Sequence, residues 1–277
     1  MNLWGNAREG SDLPSQLQSQ AEVSTGLAPV GHAVVLSDVT HSYRTRRGER
    51  VKALAGVSLR AAHGELLAVV GPSGCGKTTL LELICRLQSP ERGTLECPSA
   101  ALMPQRDLLL PWLSAVDNAA LALRIAGHSR TDAREGAAKL FAEFGLDGFQ
   151  QARPAELSGG MRQRVAFLRT LLSGKELLCL DEPFGALDAI TRGEMQDWLA
   201  VTLGDAPRTI VLVTHDVEEA IVLADRVLVL SPRPGRVIDE LDVDIPRPRA
   251  RTDAEVMLLR EHVLGVLAPA RSAEPGR

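Results

Sequence analysis

The sequence has few lysines, few aromatic residues and few cysteines, and these scarcities exclude several classes of protein. Only four of the 31 basic residues are lysines (positions 52, 77, 139 and 175), and the 277-residue chain carries a net charge of −4. Such a chain lacks the basic stripe that is typical of nucleic-acid binding, so we expect no nucleic-acid partner. The four cysteines form no C-x-x-C pair, which argues against a structural metal site or a disulfide framework.

The sequence also lacks long apolar runs. No stretch approaches the roughly 18 apolar residues that a membrane span requires, and residues 1–10 have no apolar core of the secretory-signal type. Residues 1–31 are rich in Ser, Gln and Gly without periodicity, which predicts a disordered tail. If the protein works at a membrane, we expect it to dock on another protein that spans the bilayer.

The stretch Gly71–Thr79 is the most informative feature that is present. It fits the phosphate-loop pattern G-x-x-x-x-G-K-[ST], and it lies between a predicted buried strand and a predicted helix. Glycines allow backbone N–H groups to converge on a phosphate, and the helix N-terminus adds a positive dipole end. Lys77 would neutralise terminal phosphates and Thr78 would ligate Mg²⁺. The candidate loop residues are Gly71, Pro72, Ser73, Gly74, Cys75, Gly76, Lys77, Thr78 and Thr79.

Two later apolar strands are predicted to end in polar residues. One ends in Asp181 and Glu182, and the other is followed by His215. In open parallel sheets the ligand binds at the carboxyl ends of the strands. Asp181 is therefore placed to hold Mg²⁺ through water, Glu182 to act as general base on an attacking water, and His215 to touch a terminal phosphate.

A second candidate anion site is the helix start Leu157-Ser158-Gly159-Gly160. A helix N-terminus offers free N–H groups, and the serine adds a hydroxyl. By itself this pattern is weak, because many helices begin with Ser-Gly.

Other segments leave two interpretations open at the level of the residues. Tyr43, the only tyrosine, either packs on the core or stacks on a nucleotide base. The apolar stretch 108–112 is either local core or a docking surface. The pattern from 114 to 144 is helical and contains no obvious strand, with Ser129 or Thr131 as a cap, and a last amphipathic helix is predicted over residues 252–267.

The ordered set of motifs resembles the ATPase subunit of an ATP-binding cassette (ABC) transporter, over roughly residues 34–240. The resemblance implies an α/β phosphate-loop NTPase fold with a RecA-like core, a small antiparallel β subdomain and an inserted helical subdomain. Residues 1–31 would then form the tail, 32–240 the ATPase domain with its helical subdomain at about 106–172, and 241–277 a C-terminal extension with an amphipathic helix. The segment 93–105 is short for this family, which predicts a trimmed strand subdomain.

The resemblance also implies the cofactors ATP and Mg²⁺ and a role for each matching residue. The implied roles are adenine stacking for Tyr43, a link from Mg²⁺ and the attacking water to the helical subdomain for Gln105, contact with the ATP of a second protomer for Ser158, Gly159 and Gly160, metal binding for Asp181, general base for Glu182, an interface role for Asp188 and γ-phosphate contact for His215. The family pairs two cassettes head to tail with two ATP molecules between them.

Further similarities indicate the class of transporter. The stretches 105–112 and 245–249 are similar to those of nitrate, sulfonate and taurine importer ATPases, a group that includes subunits for pyrimidine precursors. This implies permease partners, an indirect link to a solute-binding protein and a peripheral place on the cytoplasmic face of the membrane. The alternatives are an exporter ATPase, a soluble ABC protein acting on ribosomes or DNA, and a nucleotide-binding module that does not hydrolyse ATP. The transported solute is not encoded in these motifs.

Overall fold

The computed structural model describes residues 32–205 and 208–271, so the predicted tail (1–31) lies outside the described residues. The strands are β1 (His32–Arg44), β2 (Arg50–Ala62), β3 (Leu66–Val70), β4 (Arg92–Glu96), β5 (Ala100–Met103), β6 (Leu177–Asp181), β7 (Thr209–Thr214), β8 (Arg226–Leu230) and β9 (Val237–Asp242). The helices are α1 (Lys77–Ile84), α2 (Ala115–Ala119), α3 (Leu121–Ile125), α4 (Arg130–Ala138), α5 (Gly159–Leu171), α6 (Ala189–Asp205), α7 (Val217–Leu223) and α8 (Ala254–Arg271). Within these two ranges, no helix has the length and apolar character needed to cross a bilayer.

A six-stranded sheet forms the centre of the molecule, with the order β5-β6-β7-β3-β8-β9. All neighbours in it are parallel except β8 and β9. Every residue of β3, β6 and β7 is buried, as expected for parallel strands that are covered on both faces. The carboxyl ends of β5, β6, β7 and β3 therefore lie side by side at one edge of the sheet.

Strand β3 separates two hydrophobic cores, because successive side chains of a strand point to opposite faces. Leu66, Ala68 and Val70 pack in the larger core, which also contains the residues of helices α2–α8. Leu67 and Val69 pack in the smaller core, with α1 and the strands β1 and β2. The phosphate-loop segment after β3 thus begins from a strand that is held on both faces.

A second, antiparallel sheet has the order β2-β1-β4. Residues 45–49 connect β1 to β2 in a hairpin turn, where the Thr45 N–H donates to the Glu49 carbonyl at 2.9 Å. Residues 50–62 form one continuous strand, β2.

Helices α2 to α5 connect β5 to β6, in agreement with the helical pattern predicted from residue 114 onward. The side-chain oxygens of Ser114 and Ser129 cap α2 and α4 by accepting hydrogen bonds from the Asp117 and Asp132 N–H groups. Of the two predicted caps, the structure therefore selects Ser129. The predicted ends of the last helix differ by a few residues, because α8 spans 254–271 rather than 252–267.

The segment between β9 and α8 is anchored by the buried side chain of Arg249. Its guanidinium donates to the carbonyls of Ile221 (2.7 Å), Val243 (2.9 Å) and Ile245 (2.7 Å), and also to that of Ala224, the C-cap of α7. Burial lowers the pKa of Arg249 to about 10, so the group stays charged at neutral pH. One side chain thus satisfies carbonyls at the end of α7 and fastens the extension to it.

We expect Arg249→Met to lower the free energy of unfolding by about 3 kcal/mol, since several buried carbonyls lose their donor. Denaturant titration measures this loss. The exposed Arg233, which precedes β9, provides the control Arg233→Met. Equal stability losses in the two variants would contradict the anchoring role.

Candidate functional site

The predicted site residues follow the order of the strands at the carboxyl edge of the parallel sheet. Gln105 comes two residues after β5, Asp181 ends β6, and His215 directly follows β7. The loop 71–76 leaves β3, which is paired with β7. The topology therefore brings together residues that are up to 144 positions apart in sequence.

The backbone conformation of the phosphate loop depends on two glycines. Gly74 and Gly76 have φ angles of 75° and 111°, a region that other residues rarely adopt. A Cβ atom at Gly76 would lie 2.6 Å from Leu54 Cδ2 and 2.9 Å from the Ala53 carbonyl oxygen. Gly76 is also the N-cap of α1, so the loop delivers the chain directly into the helix N-terminus.

Lys77 and Cys75 are buried within this loop region. The Lys77 ammonium donates to the carbonyls of Gly71 (2.7 Å) and Pro72 (3.1 Å), so it lies along the loop. Burial raises the pKa of the Cys75 thiol, which keeps it protonated and of low reactivity.

Thr78 and Asp181 are brought into direct contact between α1 and β6. The Thr78 hydroxyl donates to Asp181 Oδ2 at 2.8 Å. Burial raises the pKa of Asp181, an effect that the bond from Thr78 opposes. In the described part of the chain, no group of three or more His, Cys, Asp and Glu residues could hold a metal alone. A hydroxyl and one carboxylate are nevertheless a donor set that suits Mg²⁺, which takes oxygen ligands and keeps phosphate and water in its shell.

Both carboxylate oxygens of Glu182 are held, one by a residue that follows β5 and the other by a residue that follows β7. Gln105 Nε2 donates to Oε2 at 2.8 Å, and His215 Nδ1 lies 3.1 Å from Oε1. The Glu182 N–H donates to the Val213 carbonyl at 2.8 Å, and its φ of 47° is unusual for a residue with a side chain. The sequence placed all three residues in one site, and the structure brings them into contact.

The Ser158–Gly160 segment forms the first turn of α5. The Ser158 side chain accepts a hydrogen bond from the Met161 N–H at 3.1 Å. Ser158 and Gly159 are exposed, and a Cβ atom at Gly159 would meet nothing closer than Arg162 Nη2 at 3.8 Å. This open surface leaves the helix N-terminus accessible to a ligand or to another chain.

Asp188 caps the first turn of α6. Its carboxylate accepts hydrogen bonds from the Ile190 N–H (3.2 Å), the Thr191 N–H (3.1 Å) and the Thr191 hydroxyl (2.8 Å). The bond from the Thr191 backbone is the main cause of the lowered pKa of this carboxyl. Asp188 is thus rigidly oriented.

Tyr43 lies against the helix that follows the phosphate loop. Its hydroxyl donates to Glu82 Oε2 at 2.8 Å and lies 3.2 Å from Thr79 Oγ1, and its ring meets that of His41 edge-on at 4.9 Å. Desolvation raises the pKa of Tyr43. The ring is half-buried, and its role in base stacking stays a prediction.

The apolar stretch 108–112 divides between core and surface. Leu109 is buried in the larger core, whereas Leu108 is exposed and Trp112 is 67% exposed. The preceding Asp107 is fixed to α5, because its Oδ2 accepts a hydrogen bond from Arg162 Nε at 3.1 Å. The core interpretation therefore holds for Leu109, whereas docking through the exposed Leu108 and Trp112 stays a prediction.

Sequence reasoning missed Glu219, a buried carboxyl on α7 that follows His215 by four residues. Gln196 Nε2 on α6 donates to Glu219 Oε2 at 2.9 Å. Burial raises the pKa of Glu219 to about 7. A signal was available, because all residues of α7 other than its two glutamates are apolar.

The Glu219 pKa predicts a measurable effect of pH on stability. Between the ordinary carboxyl value of 4.5 and about 7, the unfolded chain has ionised Glu219 while the folded protein still holds the proton. The contribution of this proton to stability is full below pH 4.5 and is lost as the pH rises to about 7. From pH 5 to 8 we expect wild type to lose about 2 kcal/mol more than Glu219→Gln, since each pKa unit is worth about 1.4 kcal/mol.

Denaturant titrations of both proteins at pH 5 and pH 8 test this expectation. Parallel pH dependences in the two proteins would show that Glu219 ionises normally in the fold.

Comparisons with known proteins agree with this geometry. A family model described as ABC transporter matches residues 54–185. The taurine import ATP-binding protein of Yersinia pseudotuberculosis is 44% identical over 230 residues, which cover 77% of this chain and 90% of that protein. An aliphatic sulfonates import ATP-binding protein of Rhodococcus jostii is 42% identical over 245 residues, covering 86% of this chain and 94% of that protein.

Two further similarities extend the set. A formylaminopyrimidine import ATP-binding protein of Halalkalibacterium halodurans is 43% identical over 202 residues, covering 71% of this chain and 81% of that protein. Among solved structures, a dimeric ATP-binding cassette in a post-hydrolysis state, bound to ADP and phosphate, superposes with a TM-score of 0.70 at 28% identity. The match covers 77% of this chain and all of that one.

Proposed function

Because the chain belongs to the ABC transporter family and is an ATPase subunit that powers transport, we propose that it drives the import of a small solute of the nitrate, sulfonate, taurine or pyrimidine-precursor type. The observation that carries the catalytic part of the proposal is the carboxylate of Glu182, which is held by Gln105 and His215 beside the phosphate loop. The names of the relatives support the transport part.

In this proposal, Glu182 is the general base of ATP hydrolysis. Its carboxylate takes a proton as water attacks the γ-phosphorus, and ADP and phosphate are the products. Gln105 and His215 fix the two carboxylate oxygens and so orient the base. Because Nδ1 of His215 faces Glu182, Nε2 is the nitrogen that would donate to the terminal phosphate.

The loop Gly71–Thr79 would bind the phosphates of ATP through its N–H groups and Lys77. Thr78 and Asp181, which already contact each other, would hold Mg²⁺, directly and through water respectively. Gln105 would complete this shell. The metal, when bound, supplies positive charge to the terminal phosphates.

Ser158, Gly159 and Gly160 would contact the ATP bound by a second copy of the chain. Their exposed helix N-terminus supports this assignment, and so does the dimeric solved cassette. The oriented Asp188 would lie at the same interface, and Tyr43 would stack on the adenine base.

We further infer that residues 32–240 are the ATPase domain, with a helical subdomain at about 106–172, and that residues 241–277 are an extension of it. The exposed Leu108 and Trp112 would receive the permease, which in turn works with a solute-binding protein. The chain would then lie peripherally on the cytoplasmic face of the membrane.

The first test of the proposal is Glu182→Gln. We expect ATP binding to persist, turnover to fall about a thousandfold, and the ATP-bound dimer to accumulate, because the base is lost while the phosphate-binding groups remain. Steady-state phosphate release and size-exclusion chromatography with ATP measure both effects.

The matched control is Glu176→Gln, which changes an exposed glutamate at the opposite end of β6. Near wild-type turnover in Glu182→Gln would refute the general-base assignment.

The second test is Trp112→Ala. We expect ATP hydrolysis by the isolated chain to be unchanged and co-purification with the permease from native membranes to be weakened, because Trp112 would supply exposed aromatic area to that contact. Leu258→Ala, at a side chain that is 66% exposed on α8, is the control. If Trp112→Ala co-purifies like wild type, stretch 108–112 is not the docking surface.

Purification of the wild-type chain from native membranes in mild detergent tests the transport role itself. A multi-span permease together with a solute-binding protein supports import. Recovery with ribosomes, with DNA or with no membrane partner would refute the transport role and leave the ATPase activity standing.

A further inference from the structure

Four residues outside the predicted site form a hydrogen-bonded chain behind His215: Arg251, Gln196, Glu219 and Thr214, which we call the relay. They come from the extension after β9, from α6, from α7 and from the end of β7. Gln196 and Glu219 are only 1% and 6% exposed, and Thr214 is also buried. Buried polar groups of this kind are costly unless each has a hydrogen-bond partner, so the donor and acceptor roles along the relay are defined.

The donor and acceptor roles are set by Arg251, which lies in the C-terminal extension. The Arg251 guanidinium, which can only donate hydrogen bonds, donates to Gln196 Oε1. This fixes the orientation of the amide, so Gln196 presents its NH₂ group to Glu219 Oε2, at 2.9 Å. The arginine therefore determines that Gln196 acts as a donor toward Glu219.

The other side of Glu219 leads to the residues that flank His215. The Asp216 N–H donates to Thr214 Oγ1 at 3.0 Å, which leaves the Thr214 hydroxyl hydrogen free to bond the Glu219 carboxylate. The Glu219 N–H in turn donates to Asp216 Oδ1 at 3.2 Å. Glu219 thus fixes the residue before His215 through its side chain and the residue after it through its backbone.

Among the residues that the structure describes, Glu182 is the side chain with which the His215 ring pairs. The His215 side chain is 62% exposed, and its ring nitrogen Nδ1 lies 3.1 Å from Glu182 Oε1. The direction of the ring therefore depends on the backbone between Thr214 and Asp216. A shift of this backbone would move both the ring and its contact with the carboxylate of Glu182.

We propose that the relay is a positioning network through which the C-terminal extension sets the orientation of His215. The side-chain hydrogen bonds described for these four residues reach neither the phosphate loop nor Glu182, so the relay acts through His215. The effect on turnover rests on the proposed role of His215 in hydrolysis, whereas the effect on its orientation does not.

The relay also joins separate parts of the fold. Gln196 lies on α6, the helix whose first turn is capped by Asp188. The C-terminal extension, α6 and α7 therefore meet at the buried amide of Gln196. Movement of the extension would reach His215 through this amide.

The discriminating variant is Arg251→Met, which removes the donor that orients Gln196 and leaves the buried residues in place. Arg251 also contacts Glu218, with Nε 3.4 Å from Oε1, so loss of that ion pair must be controlled for. Arg260→Met is the matched control, because Arg260 pairs with the same Glu218, at 3.8 Å, without contacting Gln196.

The first readout is the ring resonance of His215 in the full-length chain. The chain has six histidines, so the Cε1–H signals can be resolved by ¹H–¹³C NMR, and His215→Ala identifies the one that belongs to His215. We expect Arg251→Met to shift or broaden this signal and Arg260→Met to leave it in place. An unmoved signal in Arg251→Met, or equal shifts in both variants, would overturn the relay.

The second readout is the kinetics of ATP hydrolysis. We expect Arg251→Met to lower kcat about tenfold with KM changed less than about twofold, as for a slightly misplaced catalytic group. Arg260→Met should keep kcat within about twofold of wild type. A shifted His215 signal with unchanged kcat would support the relay as an orienting device and refute the proposed role of His215 in turnover.

Discussion

The parallel pairing of β5, β6, β7 and β3 is the constraint on which the site depends. The pairing aligns Met103 with Leu180, Asp181 with Val213, and Val70 with Thr214. Because the side chains of a strand alternate between faces, a slip of one residue would turn the candidate site residues at the strand ends away from each other. The short distances from Glu182 to Gln105 and His215 are thus a consequence of register, which the apolar content of the strands enforces.

The C-terminal extension is structurally part of the same unit. Its helix α8 contributes Val256, Val263 and Leu267 to the larger core, and Arg249 ties the preceding segment to the end of α7. Two arginines two positions apart thus make different contacts, one with backbone carbonyls and the other with the amide of Gln196. The resemblance to importer ATPases included residues 245–249, but it gave no reason for their presence. In the structure, Arg249 supplies one.

The motifs of the candidate site could be recognised in the sequence because each is local. Gly71–Thr79, Asp181–Glu182 and the strand before His215 are defined by a few adjacent residues, and uniformly apolar runs made the strands recognisable. The relay could not be predicted, because Arg251 and Gln196 are 55 positions apart and nothing in the sequence pairs them. The division of stretch 108–112 between core and surface depends equally on tertiary packing, as do the ends of α8. The predicted roles of the site residues involve ligands and a second chain, so they stay predictions.

The backbone of Glu182 has an evolutionary consequence. A residue with a side chain costs about 1–2 kcal/mol in the left-handed region, where glycine would be comfortable. At this position, selection for folding alone favours glycine, whereas the proposed role as general base requires the carboxylate. A lineage that lost its need for hydrolysis would therefore be expected to lose this glutamate early and to become more stable as it did so.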